Sequence, residues 1–283
     1  MRIDLHAHST ASDGTDAPAA LIGAAAAVGL DVVALTDHDT VAGHAAAAAA
    51  LPPGLTLVPG AEISCSVDGV SLHMLAYLFD PEEPAFARER DLLRDDRVPR
   101  ARAIVARLRE LGVPVTWERV RALAEGAVGR PHIAQAMVEA GVVATVSDAF
   151  TSEWLADGGR AYVAKHELDP FTAVRLIHGA GGVAVFAHPA AVKRGRVVPE
   201  STIARLAAAG LDGIEVDHMD HDRDTRLRLA GLAGDLGLLT TGSSDYHGSR
   251  KSCRLGDETT TPEVFEALVA RATGAVPITA TAL

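Results

Sequence analysis

MRIDLHAHSTASDG, Met1 to Gly14, opens with Ile3 and Leu5 alternating with Asp4, His6 and His8. A period of two is the mark of a strand, and it sends Asp4, His6 and His8 to one face. Two imidazoles at i and i+2 near a strand end can grip one cation from the same side. Imidazole suits Zn, Mn, Fe, Co and Ni alike, so the spacing does not choose the metal. Residues 9–14, rich in Ser, Thr, Asp and Gly, read as a loop that delivers Asp13, an oxygen ligand, over the same strand end.

The device recurs downstream. An Ala-rich helix is expected over Pro18–Gly29, with Asp16 as its N-cap. Strands follow at Asp31–Thr36, running into His38, at Leu55–Ile63 with Glu62, and at Val70–Phe79 with His73. From about Asp80 to Pro170 strand-like runs are few, and Arg88–Arg130 has helical spacing, with Gly112 a C-cap after Ala101–Leu111. Residues 81–170 are therefore expected to form an inserted helical subdomain over the site. It would carry Arg130, His132 and a basic cluster of Arg94, Arg97, Arg100 and Arg102. Strand and helix then alternate again. Strands at Gly182–Ala187, Gly213–Val216 and Leu238–Gly242 lead into His188, His218, and Asp245 with His247. Ligand-type residues at the carboxyl ends of alternating strands indicate an α/β barrel or open sheet, built from residues 1–80 and 171–283.

Composition narrows the function classes. With 48% hydrophobic and 22% charged residues the chain reads as a soluble globular protein. No run approaches the roughly 20 apolar residues of a membrane span. Met1 leads straight into the first strand without the basic and apolar regions of an export leader, so a cytoplasmic location is expected. Cys65 and Cys253 are too few for a disulfide framework and read as buried thiols. A net charge of −11 argues against wrapping long duplex nucleic acid. A small anionic substrate remains compatible, because bound divalent cations invert a local potential.

His6, His8, Asp13, His38, Glu62, His73, His188, Asp245 and His247 all fall at or just past expected strand ends. A lone histidine in such a place is most often a satisfied core residue. Gathering nine such groups without a cation would cost on the order of several kcal/mol in desolvation and repulsion.

Six segments together resemble the PHP (polymerase and histidinol phosphatase) family of phosphoesterases. They are DLHAHSTASDG, LTDHDTVAG at Leu35–Gly43, GAEIS at Gly60–Ser64, LHMLAY around His73, FAHP at Phe186–Pro189 and GSSDYHG at Gly242–Gly248. The resemblance implies a distorted (β/α)7 TIM-like barrel and three divalent metal ions, Mn first, with Zn or Fe open. The first metal would take His6, His8, Glu62 and Asp245. Glu62 would bridge to a second held by His73 and His188, and the third would take Asp13, His38 and His247. Asp4 and Asp39 are candidate acceptors for imidazole N–H groups. GRPHIA at Gly129–Ala134 is similar to the nucleotide and oligonucleotide branch of the family and would set Arg130 and His132 over the metals, where a guanidinium can take phosphate in two-pronged fashion. Arg97, Arg100 and Lys165 are candidates for a further phosphate, and His218 for the substrate phosphate or the leaving-group proton. Glu215 is a weaker candidate, and His44, His166, His178 and His221 receive no role.

The implied reaction is hydrolysis of a phosphate ester by a metal-bridging hydroxide, a water whose pKa is lowered towards about 7. Glu62, Asp245, Arg130 and His218 form the catalytic set. Substrates would be a nucleoside 3′,5′-bisphosphate, a mononucleotide or the 5′ end of a short oligonucleotide, so phosphatase and 5′–3′ exonuclease action share one chemistry. GxSxG is absent, which argues against a covalent serine intermediate. Two alternatives stand beside this. A metal-dependent amidohydrolase would need a metal-bridging lysine on a mid-barrel strand, and only Lys165, Lys193 and Lys251 exist. A non-catalytic PHP-like scaffold would show degenerate ligand positions, and none of the nine is degenerate. Oligomeric state is not fixed by the sequence.

Overall fold

The computed structural model describes residues 1–280 apart from 125–127, 157 and 164–165, and of Arg97 the backbone alone. Lys165 and the side chain of Arg97, two candidates for phosphate contact, thus lie outside the described residues. The chain divides into two compact units, one of residues 1–91 with 167–283 and one of residues 92–166.

In the larger unit seven strands follow one another around the sheet in chain order. They are β1 (Ile3–Asp4), β2 (Val32–Leu35), β3 (Thr56–Val67), β4 (Val70–Tyr77), β5 (Val183–Ala187), β6 (Gly213–Asp217) and β7 (Leu239–Gly242). A parallel bridge between Ala7 and Tyr246, with His8 N donating to Tyr246 O at 2.8 Å, joins the first strand's continuation to the last. The result is a nearly closed (β/α) barrel. A short β8 (Ile278–Thr279) pairs with β3 outside the ring. Helices α1 (Pro18–Ala27), α2 (His44–Ala49), α7 (Pro170–Gly179), α8 (Glu200–Ala208), α9 (Arg223–Leu236) and α10 (Pro262–Arg271) accompany these strands. The remaining helices, α3 (Pro84–Asp95), α4 (Arg97–Glu110), α5 (Trp117–Ala122) and α6 (Arg130–Glu139), lie between β4 and α7 in the chain.

Strand periodicity builds two apolar layers. On β2, Val32 and Ala34 join a core with Ile3, Leu5, Val58, Leu75 and Val185, while Val33 and Leu35 pack with Leu21, Ile22 and Ala25 of α1. The smaller unit has its own core around Ile104, Leu108, Ile133 and Met137. Among the described residues no helix is long and apolar enough to cross a membrane.

Strand direction departs from a regular (β/α) repeat at β3 and β4, which form an antiparallel hairpin, and β4 pairs antiparallel with β5 as well. The turn is Asp68–Gly69, both residues at positive φ (51° and 71°), the Asp-Gly pairing that tight hairpins favour. One consequence decides the site. His73 lies midway along β4 and pairs with Ser64 of β3 and with Ala187, the last residue of β5, so an antiparallel strand delivers its ligand to the mouth formed by the parallel strands' carboxyl ends. Glu62 likewise sits inside a twelve-residue strand rather than at its end. Asp16 does not cap α1. Ala17 holds that position, and the Asp16 carboxylate accepts from the Tyr246 hydroxyl at 2.7 Å.

Candidate metal centre

The loop after β1 is fixed by Asp37, which accepts from Ser9 N (2.8 Å), Ser9 Oγ (2.7 Å) and Ser12 Oγ (2.6 Å). Gly14 closes that loop where a Cβ would stand 2.3 Å from the His8 carbonyl oxygen, so only glycine fits. Asp13 is thereby held beside the strand end. His188 and Asp245 both have positive φ, 32° and 52°, an uncommon conformation for residues with side chains and one that clusters at functional sites.

The nine candidate ligands converge. Glu62 is their centre: Oε2 lies 3.2 Å from His6 Nε2, 3.1 Å from His8 Nε2 and 3.2 Å from His38 Nδ1. Its Oε1 lies 2.8 Å from His73 Nδ1 and 3.0 Å from His188 Nε2. Asp245 Oδ1 is 3.4 Å from His6 Nε2 and 3.5 Å from His8 Nε2. Asp13 Oδ1 faces His247 Nε2 at 3.3 Å and His38 Nε2 at 3.8 Å. Three sets have one ligand atom per residue within 4.8 Å of one another: His6, His8, Glu62 and Asp245; His8, Asp13, His38 and His247; and His38, Glu62 and His73. His8 and His38 thus each belong to two sets. His6, His8, Glu62, His188, Asp245 and His247 are buried, and Asp13, His38 and His73 are half-buried.

These contacts are not a hydrogen-bonded network that satisfies itself. His38 Nδ1, His73 Nδ1 and Asp245 Oδ1 are buried and make no hydrogen bond. The Nε2 atoms of His6 and His8 face each other at 3.0 Å, where at most one proton fits between them. His247 Nδ1 donates to the Asp245 carbonyl at 2.9 Å, which leaves its Nε2 lone pair aimed at the Asp13 carboxylate. Lone pairs meeting lone pairs need a cation between them. The mixed imidazole and carboxylate donors fit a divalent ion of the Mn, Fe or Zn kind.

Electrostatics agree. Burial opposes charge on His6, yet Asp245, Glu62 and Glu215 raise it well above the ordinary imidazole value. His8 is driven up to about 9 against its burial by Asp245 and Glu62. His188 goes the other way, down to about 3, through burial and the Arg194 guanidinium. Burial would push the Glu62 and Asp245 carboxyls up, but the histidines around Glu62, and Lys251, Arg194 and histidines around Asp245, hold both well below the carboxylate range. The buried carboxylates thus draw positive charge to the spot where the imidazoles converge.

Around this core, Glu215 has a clear position. It is fully buried, takes His6 Nδ1 at 3.1 Å, the His188 backbone N–H at 2.8 Å and the Ser243 hydroxyl. Asp4 and Asp39, the expected imidazole acceptors, both accept from backbone N–H groups, and Asp39 also from the Ser64 hydroxyl at 2.9 Å. Asp4 accepts from the N–H groups of Ser244 and Gly256 at 3.0 and 2.8 Å, and Asp39 from Ser64 N at 2.7 Å. His218 is buried; its Nδ1 accepts from Asp220 N, so its Nε2 bears the hydrogen, 3.3 Å from Asp245 Oδ2. Arg194, given no role from sequence, and Lys251, weighed there only as a bridging lysine, also reach Asp245 Oδ2. In the smaller unit Arg130 begins α6, donates to Leu155 O and stands over the Phe150 ring. His132 is buried and accepts from Gly129 N at 2.9 Å, and Arg100 Nε donates to Val163 O at 2.8 Å. His44, His178 and His221 are bonded to Gly60 O, Asp212 and Val216 O.

The PHP domain pattern matches residues 4–97. Over 247 residues the chain is 36% identical to a 5′-3′ exoribonuclease of Haemophilus influenzae, covering 87% of this chain and 90% of that one. The chain belongs to the PHP family. It is also 36% identical to a 3′,5′-nucleoside bisphosphate phosphatase of Chromobacterium violaceum, with 87% of each chain covered. Among solved structures, a Bifidobacterium adolescentis protein described as a metal-dependent phosphoesterase superposes with a TM-score of 0.88 at 35% identity, over 96% of both chains. A C. violaceum structure described as an amidohydrolase, with sulfate bound and no metal, gives 0.84 at 33% identity over 96% of this chain and 98% of that one. The curated relatives cleave phosphate esters, and this PHP protein is a hydrolase of that class.

Proposed function

We propose that this PHP enzyme hydrolyses a terminal phosphate ester of a nucleotide, with nucleoside 3′,5′-bisphosphates, mononucleotides and the 5′ ends of short oligonucleotides as its substrate class. The observation that carries the reading is the five-imidazole shell around the single Glu62 carboxylate. Three divalent ions, Mn first, would be held by His6, His8, Glu62 and Asp245; by Glu62, His73 and His188, where the distance-based group has His38 in place of His188; and by Asp13, His38 and His247. Bound there, divalent cations supply an activated water and neutralise phosphoryl charge.

The chain's own residues do the rest. Glu62 and Asp245 hold the ligand geometry and stay ionised. His218, with its hydrogen on Nε2, donates to a phosphoryl or leaving-group oxygen. Arg130, His132 and Arg100 are the candidates for phosphate in the helical unit, Arg130 through its planar fork. The C. violaceum neighbour was solved with sulfate bound, a tetrahedral anion of the same shape as phosphate. Among the described residues an amidohydrolase reading finds no bridging lysine on a barrel strand: Lys193 lies on a short 3-10 turn (Val192–Arg194) and Lys251 in the segment after His247. Two buried cysteine thiols suit a reducing cytosol.

The test is a substrate screen of the manganese-loaded protein against nucleoside bisphosphates, mononucleotides and 5′-phosphorylated oligonucleotides, beside an amide substrate. Release of phosphate or of 5′-nucleotides is expected. Turnover of the amide alone sinks the proposal.

A further inference from the structure

Asp245 divides its two carboxylate oxygens between two kinds of partner. Oδ1 is buried without a hydrogen bond and faces His6 and His8. Oδ2 takes Lys251 Nζ at 2.5 Å and Arg194 Nη2 at 2.7 Å. Ligation does not call for two full positive charges behind a ligand carboxylate; they draw electron density away from it. The two donors come from separate places, Arg194 from the turn that follows His188 and Lys251 from the loop that follows His247. Asp220 Oδ2, 2.6 Å from Arg194 Nε, steadies the guanidinium. Once the charge of Asp245 is committed to cations, Arg194 and Lys251 together exceed Asp220 by one positive charge. That surplus sits in a chain whose net charge is −11 and which has only three lysines. Neither side chain is sealed off: Arg194 is 33% exposed and Lys251 25%.

We propose that Arg194 and Lys251 form a clamp for the scissile phosphoryl group, supplied by the barrel unit itself. The pair already converges on one anionic oxygen, Asp245 Oδ2, and a non-bridging phosphoryl oxygen takes that place when substrate binds. Arg194 contributes a planar fork and Lys251 a compact point charge, complementary modes of holding one tetrahedral anion. This assignment rests on the phosphoesterase reading above and adds two substrate-binding residues to it.

Inorganic phosphate is the probe, titrated calorimetrically into manganese-loaded wild type, Arg194→Ala, Arg194→Lys and Lys251→Met, with metal content measured in parallel. Phosphate binding about tenfold to a hundredfold weaker in Arg194→Ala and Lys251→Met is expected, with partial recovery in Arg194→Lys and metal content as in wild type. The kcat/KM for a nucleoside 3′,5′-bisphosphate should fall in step. Unchanged phosphate affinity in metal-replete Arg194→Ala and Lys251→Met overturns the clamp. So does loss of metal in all three variants, which would make the pair supports of Asp245. Wild type that hydrolyses no phosphate ester and binds no phosphate would instead sink the phosphoesterase reading, and the clamp with it.

Discussion

Glu215 Oε1 lies 3.1 Å from His6 Nδ1, and the contact fixes which nitrogen of that imidazole faces the cluster. A carboxylate behind a ligand histidine sets the ring's orientation and raises its basicity. Glu215 also takes the His188 backbone N–H, so one buried group orients residues from two strands. Glu215→Gln should weaken metal binding about tenfold to a hundredfold while the protein still folds. Competition with a chromophoric chelator, beside a circular dichroism spectrum, measures both. Wild-type affinity in the variant would remove Glu215 from this role.

Glu62→Gln should be more severe. Both oxygens of Glu62 face imidazoles, and the proposed second ion has no other carboxylate. The variant is expected to lose at least two ions per chain by elemental analysis. Full metal content would contradict the bridging role.

Chelation should destabilise the barrel unit. An ion that binds only the folded chain stabilises it by about 3–4 kcal/mol at one hundred to one thousand times its Kd. Treatment with a strong chelator should lower Tm and abolish activity, and Mn²⁺ should restore both. A Tm indifferent to chelator would show that the folded barrel unit does not depend on bound ions.

Arg130→Ala should lower kcat/KM about tenfold or more, the loss expected for one charge-assisted phosphate contact, with metal content intact. Steady-state kinetics and elemental analysis on the same preparation separate the outcomes. Loss of metal would make Arg130 a structural residue of its unit.

One pH effect lies apart from the cluster. His178 Nε2 bonds Asp212 Oδ2 at 2.8 Å, which raises His178 above its ordinary value, and Asp212 is held low by His178 and the Ala184 N–H against partial burial. A raised imidazole stabilises the fold fully below its unfolded value of about 6.5 and loses that contribution as pH rises through the folded value. A depressed carboxylate contributes above about 3.9 and loses its share as pH falls. The pair is therefore strongest between these limits. His178→Gln should cost about 0.5 kcal/mol near pH 5.5, modest because the pair is partly solvated, and less at pH 8.5, by urea unfolding of chelator-treated protein. A cost that grows with pH would reverse the sign.

Much of this was legible in the sequence because the ligands follow strand periodicity. His6 and His8 sit two residues apart beyond one strand, and Asp245 and His247 repeat the spacing beyond another. The antiparallel β3–β4 pair was not foreseen, although Asp68–Gly69 is a hairpin signal by its composition. The misread has a cause: Glu62 and His73 both lie inside apolar runs, and period alone does not give strand direction. Glu215 stayed uncertain because its worth lies in His6, more than two hundred residues away. Arg194 and Lys251 escaped because surface-type cations in loops are ordinary in sequence. Only the distance to Asp245 Oδ2 distinguishes them.

The Ala7–Tyr246 bridge has an implication for biogenesis. Joining the first strand's continuation to the last places the ring's seam among the ligands themselves, with His6 and His8 on one side and Asp245 and His247 on the other. A nascent polypeptide still short of residue 245 has neither a shut ring nor two of its nine donors. The full donor set and the shut ring therefore come into being together, once the chain has passed residue 247.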